Sequence, residues 1–175
     1  MDASDGKLLH VISNIGFATV GKSALEMTTA DFDTMFNDEF LPSFRAAQQF
    51  IKLLGDVEGS TVTLSSGGFG YGLQPTMSKL YGGSVKNALL NNTASCFNAA
   101  VVDDGLKVKV QVVSIFYGVS RKGETKNQFG FPSDPESGHK TAQGFLAVLS
   151  GKQAGTVVDL KTAEDGAILL ESNAA

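Results

Sequence analysis

Apolar positions along the chain follow two rhythms, and their alternation predicts the fold. Residues 8–13 (LLHVIS), 60–66 (STVTLSS), 107–115 (KVKVQVVSI) and 155–160 (GTVVDL) are short, apolar and rich in β-branched side chains, the pattern of buried strands. Between them run longer segments with helical spacing. Phe32, Phe36, Phe40, Phe44 and Ala47 form one apolar stripe, with Thr28 or Thr29 as cap, Asp31 and Asp33 in the first turn, and Pro42 predicting a kink. A second long helix is expected over residues 76–100, although Gly82-Gly83 and Asn91-Asn92 weaken it. A third is expected within residues 134–151, ending on glycine.

The order is β-α-β-α-β-α-β, with connections too long for hairpins. Such a chain is expected to be α/β, a Rossmann-like parallel sheet of about four strands flanked by helices. One domain is expected over residues 1–175, with its core at about 8–160. The tail beyond residue 160 carries only AILLE as a signal, read as an added strand or a segment reaching a partner subunit.

Composition narrows the function classes. The net charge is −4 and the basic residues are dispersed, which argues against nucleic acid or an anionic membrane as partner. Cys96 is the single cysteine, so no intramolecular disulfide forms. No apolar run is long enough for a membrane span, and no basic, then apolar, leader opens the sequence; the expected location is the cytoplasm. His10, in an apolar strand, reads as a core histidine, and His139 as exposed. Two separated histidines with no cysteine or carboxylate cluster predict no metal site. Neither Ser65 nor Ser66 stands in a G-x-S-x-G turn, which weakens a hydrolase reading.

Five segments in order resemble the second half of the short-chain dehydrogenases/reductases: VISNIG, FDTMFNDEFLPSF, GSTVTLSSGG, KVKVQVVSIFYG and GHKTAQGFLAVLSGKQAGTVVDL. The resemblance implies that Ser66, or Ser65 if the register slips, holds a substrate carbonyl. It implies that Lys79 in TMSK matches the family lysine, with Pro75 where Tyr-x-x-x-Lys would place the proton-donating tyrosine. Tyr71 and Tyr81 flank that position. The family's helix asparagine falls at Glu39, a carboxylate in an apolar stripe, expected to move protons opposite Lys79. Tyr117 and Arg121, after the third strand, begin the family's substrate-covering loop and are expected to contact substrate, with Phe116, Phe129 and Phe131 adding apolar surface.

The glycine-rich turn that carries the cofactor pyrophosphate in that family has no match, since Gly67, Gly68, Gly70 and Gly72 fall in the later serine segment. The expectation is therefore no cofactor, NAD(P) included. The function expected is non-redox isomerisation, cyclisation or dehydration of an apolar oxygenated small molecule. Ser66, Lys79, Glu39 and Tyr81 would act in catalysis, and Ser65, Tyr71, Tyr117 and Arg121 in substrate binding. A silent binding or scaffold protein and a residual NAD(P)-dependent reductase are the alternatives. A homodimer through the two long helices is the expected assembly.

Overall fold

The computed structural model describes residues 8–14, 20–71, 77–127, 132–150 and 155–174. Strands β1 (His10–Ser13), β2 (Thr61–Gly67), β3 (Lys109–Ile115) and β4 (Val157–Leu160) form one parallel sheet in the order β1-β2-β3-β4. This is the α/β architecture that the alternation of elements predicts. Helices α1 (Thr29–Thr34), α2 (Leu41–Leu54), α3 (Tyr81–Asp103), α4 (Ser137–Leu149) and α5 (Asp165–Ala174) complete it.

Strand alternation sorts the core into two layers. Val62 and Leu64 of β2 share a face with Val110 and Val112 of β3, and that face buries Ala47, Ile51 and Leu54 of α2 with Leu90, Ala94 and Val101 of α3. The opposite face carries Val113, Val158 and Leu160, packed by Val148 and Phe145 of α4 and Leu169 of α5. On that face β2 is polar, with Thr61 and Thr63 buried; Thr61 Oγ1 lies 3.0 Å from Nδ1 of His10, so the histidine is satisfied within the sheet.

Thr28 caps α1 in a reciprocal box: its hydroxyl accepts from the Asp31 N–H, and Asp31 accepts from the Thr28 N–H at 2.8 Å. In place of a simple kink at Pro42, the helix widens into a π turn over Met35–Phe40. There the Leu41 N–H bonds to the Phe36 carbonyl five residues back, and Pro42 falls in the first turn of α2. The wider turn changes the face each residue presents, and Glu39 is buried with Met35 and Phe40.

Two sequence expectations are corrected here. The second long helix starts at Tyr81 rather than near residue 76, which lies outside the described residues, and it stops before Gly105, whose φ of +67° suits glycine. The tail is not an added strand: it forms α5 against α4. Short apolar runs do not distinguish strand from helix by periodicity alone. The cue was Asp165, whose carboxylate accepts from the N–H groups of Lys161 and Thr162 at 2.6 and 2.9 Å.

Candidate functional site

The C-terminal ends of β2 and β3 meet the first turns of α3. Ser66 and Ser114 are register partners on the face beneath that helix, and Ser66 Oγ donates to the Asn87 carbonyl at 3.3 Å. Ser65 alternates to the opposite face and is half-buried. The glycines after β2 serve packing. A Cβ on Gly67 would lie 2.7 Å from Asn87 Nδ2, one on Gly68 2.3 Å from the Phe116 ring, and one on Gly70 2.8 Å from the backbone of α3. That space is filled by protein, so these glycines are not an open phosphate cradle.

The π turn and α3 bring together two ionisable groups. Glu39 is 2% exposed and Lys86 7% exposed. Burial pushes the Lys86 ammonium below its ordinary pKa, because desolvation penalises the charged form, and the negative charge of Glu39 offsets part of that shift. An amine so placed gives up its proton more readily than a surface lysine.

Lys79 stands elsewhere. It is exposed and forms an ion pair with Glu26, and this hydrogen-bonded ammonium is the first cause that holds Glu26 down at a pKa of about 2. The same strap is fastened by a 2.8 Å bond from the Gly21 N–H to the Lys79 carbonyl and by Lys22 on Asp31 at 2.7 Å. The charge acting on Lys86 is that of Glu39, so the structure sets Glu39 opposite Lys86 where the sequence reading had set it opposite Lys79. Tyr81 opens α3 with its ring edge-on to Phe32, centroids 6.4 Å apart.

Tyr71 closes a 3-10 turn over Gly68–Tyr71, and Pro75, Phe129 and Phe131 lie outside the described residues. The Tyr117 hydroxyl is 2.7 Å from Thr141 Oγ1, and burial raises its pKa despite that bond. Arg121 is exposed and lines a cavity of about 440 Å³ with Val119, Ser120, Glu124 and Asn127. Thus Ser66 meets α3 at Asn87 and Glu39 acts on it at Lys86, whereas Lys79, Tyr117 and Arg121 are engaged at other places.

Sequence reasoning missed Lys86, Asn87 and Asn91. A signal for the first was present: Tyr81-x-x-x-x-Lys86 is one residue longer than Tyr-x-x-x-Lys, and Lys86 shares the buried side of α3 with Gly82, Gly83 and Leu90.

No family model and no curated protein matches the sequence. Solved structures do. A short-chain dehydrogenase from Streptomyces avermitilis superposes with a TM-score of 0.66 over 98% of this chain and 66% of its own, at 19% identity. One from Mycobacterium smegmatis gives 0.65 over 90% and 60%, at 18% identity. The fold is that of the short-chain dehydrogenases/reductases. A landomycin C-6 ketoreductase with bound NADP and rabelomycin superposes at 0.62 over 90% of this chain and 62% of its own, at 15% identity. The chain therefore spans about two thirds or less of these three neighbours.

The expectation of no cofactor is corrected by these comparisons. Neighbours sharing the short-chain dehydrogenase/reductase fold were solved with NAD, NADP or NADPH bound. The missing glycine motif speaks only for the part of the fold that contains it, and these neighbours extend beyond what this chain matches. The donor set here suits one end of such a nucleotide. A buried amine beside hydroxyl-bearing strand ends matches a sugar, while the filled space around Gly67, Gly68 and Gly70 does not match a pyrophosphate.

Proposed function

We propose that this chain is a small-molecule enzyme on a short-chain dehydrogenase/reductase scaffold, binding an apolar oxygenated compound together with a nicotinamide nucleotide. The observation that carries the reading is the joint burial of Glu39 and Lys86, with Lys86 next along α3 to the Asn87 carbonyl that Ser66 at the end of β2 bonds. Active sites gather groups whose proton affinity is shifted by burial and by a charge partner. Lys86 and Ser66 would hold the sugar next to the nicotinamide, and the nucleotide when bound supplies a hydride donor or acceptor. Ser66 orients a carbonyl oxygen, Lys86 stabilises negative charge developing on it, and Glu39 exchanges the proton. Tyr81 and the half-exposed Phe32 supply apolar surface at the start of α3.

A second reading is isomerisation, cyclisation or dehydration. It is favoured by one feature: Glu39 and Lys86 are both proton carriers, able to take a proton at one atom and return it at another with no net electron transfer.

The test is calorimetric titration with NADPH, then turnover of a panel of cyclic ketones with and without the nucleotide. Micromolar NADPH binding that weakens in Lys86→Met is expected, with kcat lowered about 10²-fold or more in Glu39→Gln. Unchanged NADPH affinity in Lys86→Met, or wild-type turnover in Glu39→Gln, overturns the assignment. Turnover that proceeds without nucleotide selects the second reading.

A further inference from the structure

Two side-chain carboxamides stand one helical turn apart on α3, above the turn that follows β2. Asn87 is 7% exposed, and its side chain makes no hydrogen bond among the described residues. Among the described residues, neither the nitrogen nor the oxygen of the buried Asn91 amide has a partner. Both amides lie against the glycine turn, Asn87 Nδ2 closest to Gly67 and Asn91 Nδ2 3.0 Å from where a Cβ of Gly70 would stand. A third group belongs with them. Ser114 is 0% exposed, its hydroxyl also has no partner among the described residues, and it lies one strand over from Ser66 on the face that α3 covers.

Leaving buried amide and hydroxyl groups unpaired costs free energy that a folded protein rarely tolerates without a reason. Each amide offers two donors and one acceptor and carries no charge. We propose that Asn87, Asn91 and Ser114 form a neutral polar subsite that orients the substrate by its uncharged oxygen- or amide-bearing group. The geometry selects a ligand that both donates and accepts, such as a carboxamide or a hydroxy-ketone. An anion would meet acceptor oxygens that it cannot satisfy, and a hydrocarbon would leave every group unpaired. A side chain at Gly67 would displace the Asn87 amide, and one at Gly70 would strike the α3 backbone at Asn87 and Ala88 before it reached the Asn91 amide. The subsite deepens the function proposed above and rests on it for its role, while its binding chemistry can be measured separately.

The probe is benzamide, titrated into the full chain labelled with nitrogen-15, with benzoate, benzylammonium and toluene as controls of equal size. Benzamide is expected to shift the side-chain NH₂ signals of both Asn87 and Asn91, and its affinity to fall at least fivefold in Asn87→Leu and in Asn91→Leu. If Asn91→Leu does not fold, Asn87→Ala and Ser114→Ala carry the same comparison. Unmoved NH₂ signals, equal binding by the variants, or equal shifts with the three controls overturn the subsite. Benzamide binding is read without nucleotide or turnover, so its failure overturns the subsite alone, and failure of NADPH binding or of turnover leaves the subsite standing.

Discussion

Ser66 donates its hydroxyl proton to the main-chain carbonyl of Asn87, tying the end of β2 to the second turn of α3. The bond holds the strand end beneath the segment that carries Lys86 and Asn87. The Ser66 proton is held by the Asn87 carbonyl at 3.3 Å, so a substrate carbonyl would have to draw it away from that acceptor.

Ser66→Ala removes that tie and leaves one buried carbonyl short of a donor. A loss of about 1 kcal/mol is expected in urea unfolding, with an unchanged m-value. A loss under roughly 0.3 kcal/mol would show that the 3.3 Å contact contributes little.

Lys86 couples stability to alkaline pH. Its pKa is lower in the folded chain than the ordinary 10.5, so between those two values the unfolded chain binds the extra proton. Stability therefore rises with pH across that window, and the burial penalty is felt in full below it. Urea midpoints measured from pH 7 to 10 are expected to climb more steeply for wild type than for Lys86→Met. Glu39→Gln at pH 7 withdraws the favourable charge and costs about 3 kcal/mol, part of which returns in the double variant Glu39→Leu/Lys86→Met.

Acid acts on the strap that leads into α1 over residues 20–28. Glu26 and Asp31 are both held at a pKa of about 2, chiefly by hydrogen bonds from Lys79 and Lys22. Their folded values lie below the ordinary 4.5 and 3.8, so the contribution is present above those ordinary values and is lost as pH falls towards 2. The Lys79–Glu26 pair is exposed and readily screened by salt, while the Lys22–Asp31 pair is half-buried and screened less. Hydrogen exchange at the Gly21 N–H, which bonds to the Lys79 carbonyl, is expected to lose protection in acid ahead of the sheet amides. Loss of protection together with β2 would contradict a separately fastened strap.

Helices α4 and α5 cross closely at two glycines. A Cβ on Gly166 would stand 2.0 Å from the Lys140 carbonyl oxygen and 2.9 Å from the Gly144 nitrogen, both backbone atoms with no room to yield. Gly166→Ala is expected to destabilise by about 2 kcal/mol or more through displacement of α5. Gly21→Ala is the comparison, where no atom lies within 4 Å and the cost arises from a φ of +98° alone. Equal losses in the two variants would discount the helix crossing.

Much of the fold was legible. Val62, Leu64, Val110 and Val112 alternate with polar residues because one strand face must be buried, and that period survives in any context. The Thr28 cap read equally well, and so did Phe40, Phe44 and Ala47 of the first helix stripe, whereas Phe32 and Phe36 of that stripe are exposed. Helix α5 did not, because ten residues with a weak apolar pattern gain their order from the Gly144–Gly166 crossing, which is a tertiary contact.

The sequence by itself determined the parallel α/β order, the serine at the end of β2 and the carboxylate at position 39. Those features follow from local period and from residue identity. Only the tertiary structure decided which lysine meets that carboxylate. A π turn ahead of Pro42 carries Glu39 inward, α3 begins late enough to bury Lys86, and Lys79 is drawn to Glu26 on the surface. Partner choice between charges depends on the packing of segments distant in sequence, because desolvation and proximity exist only once the chain has folded.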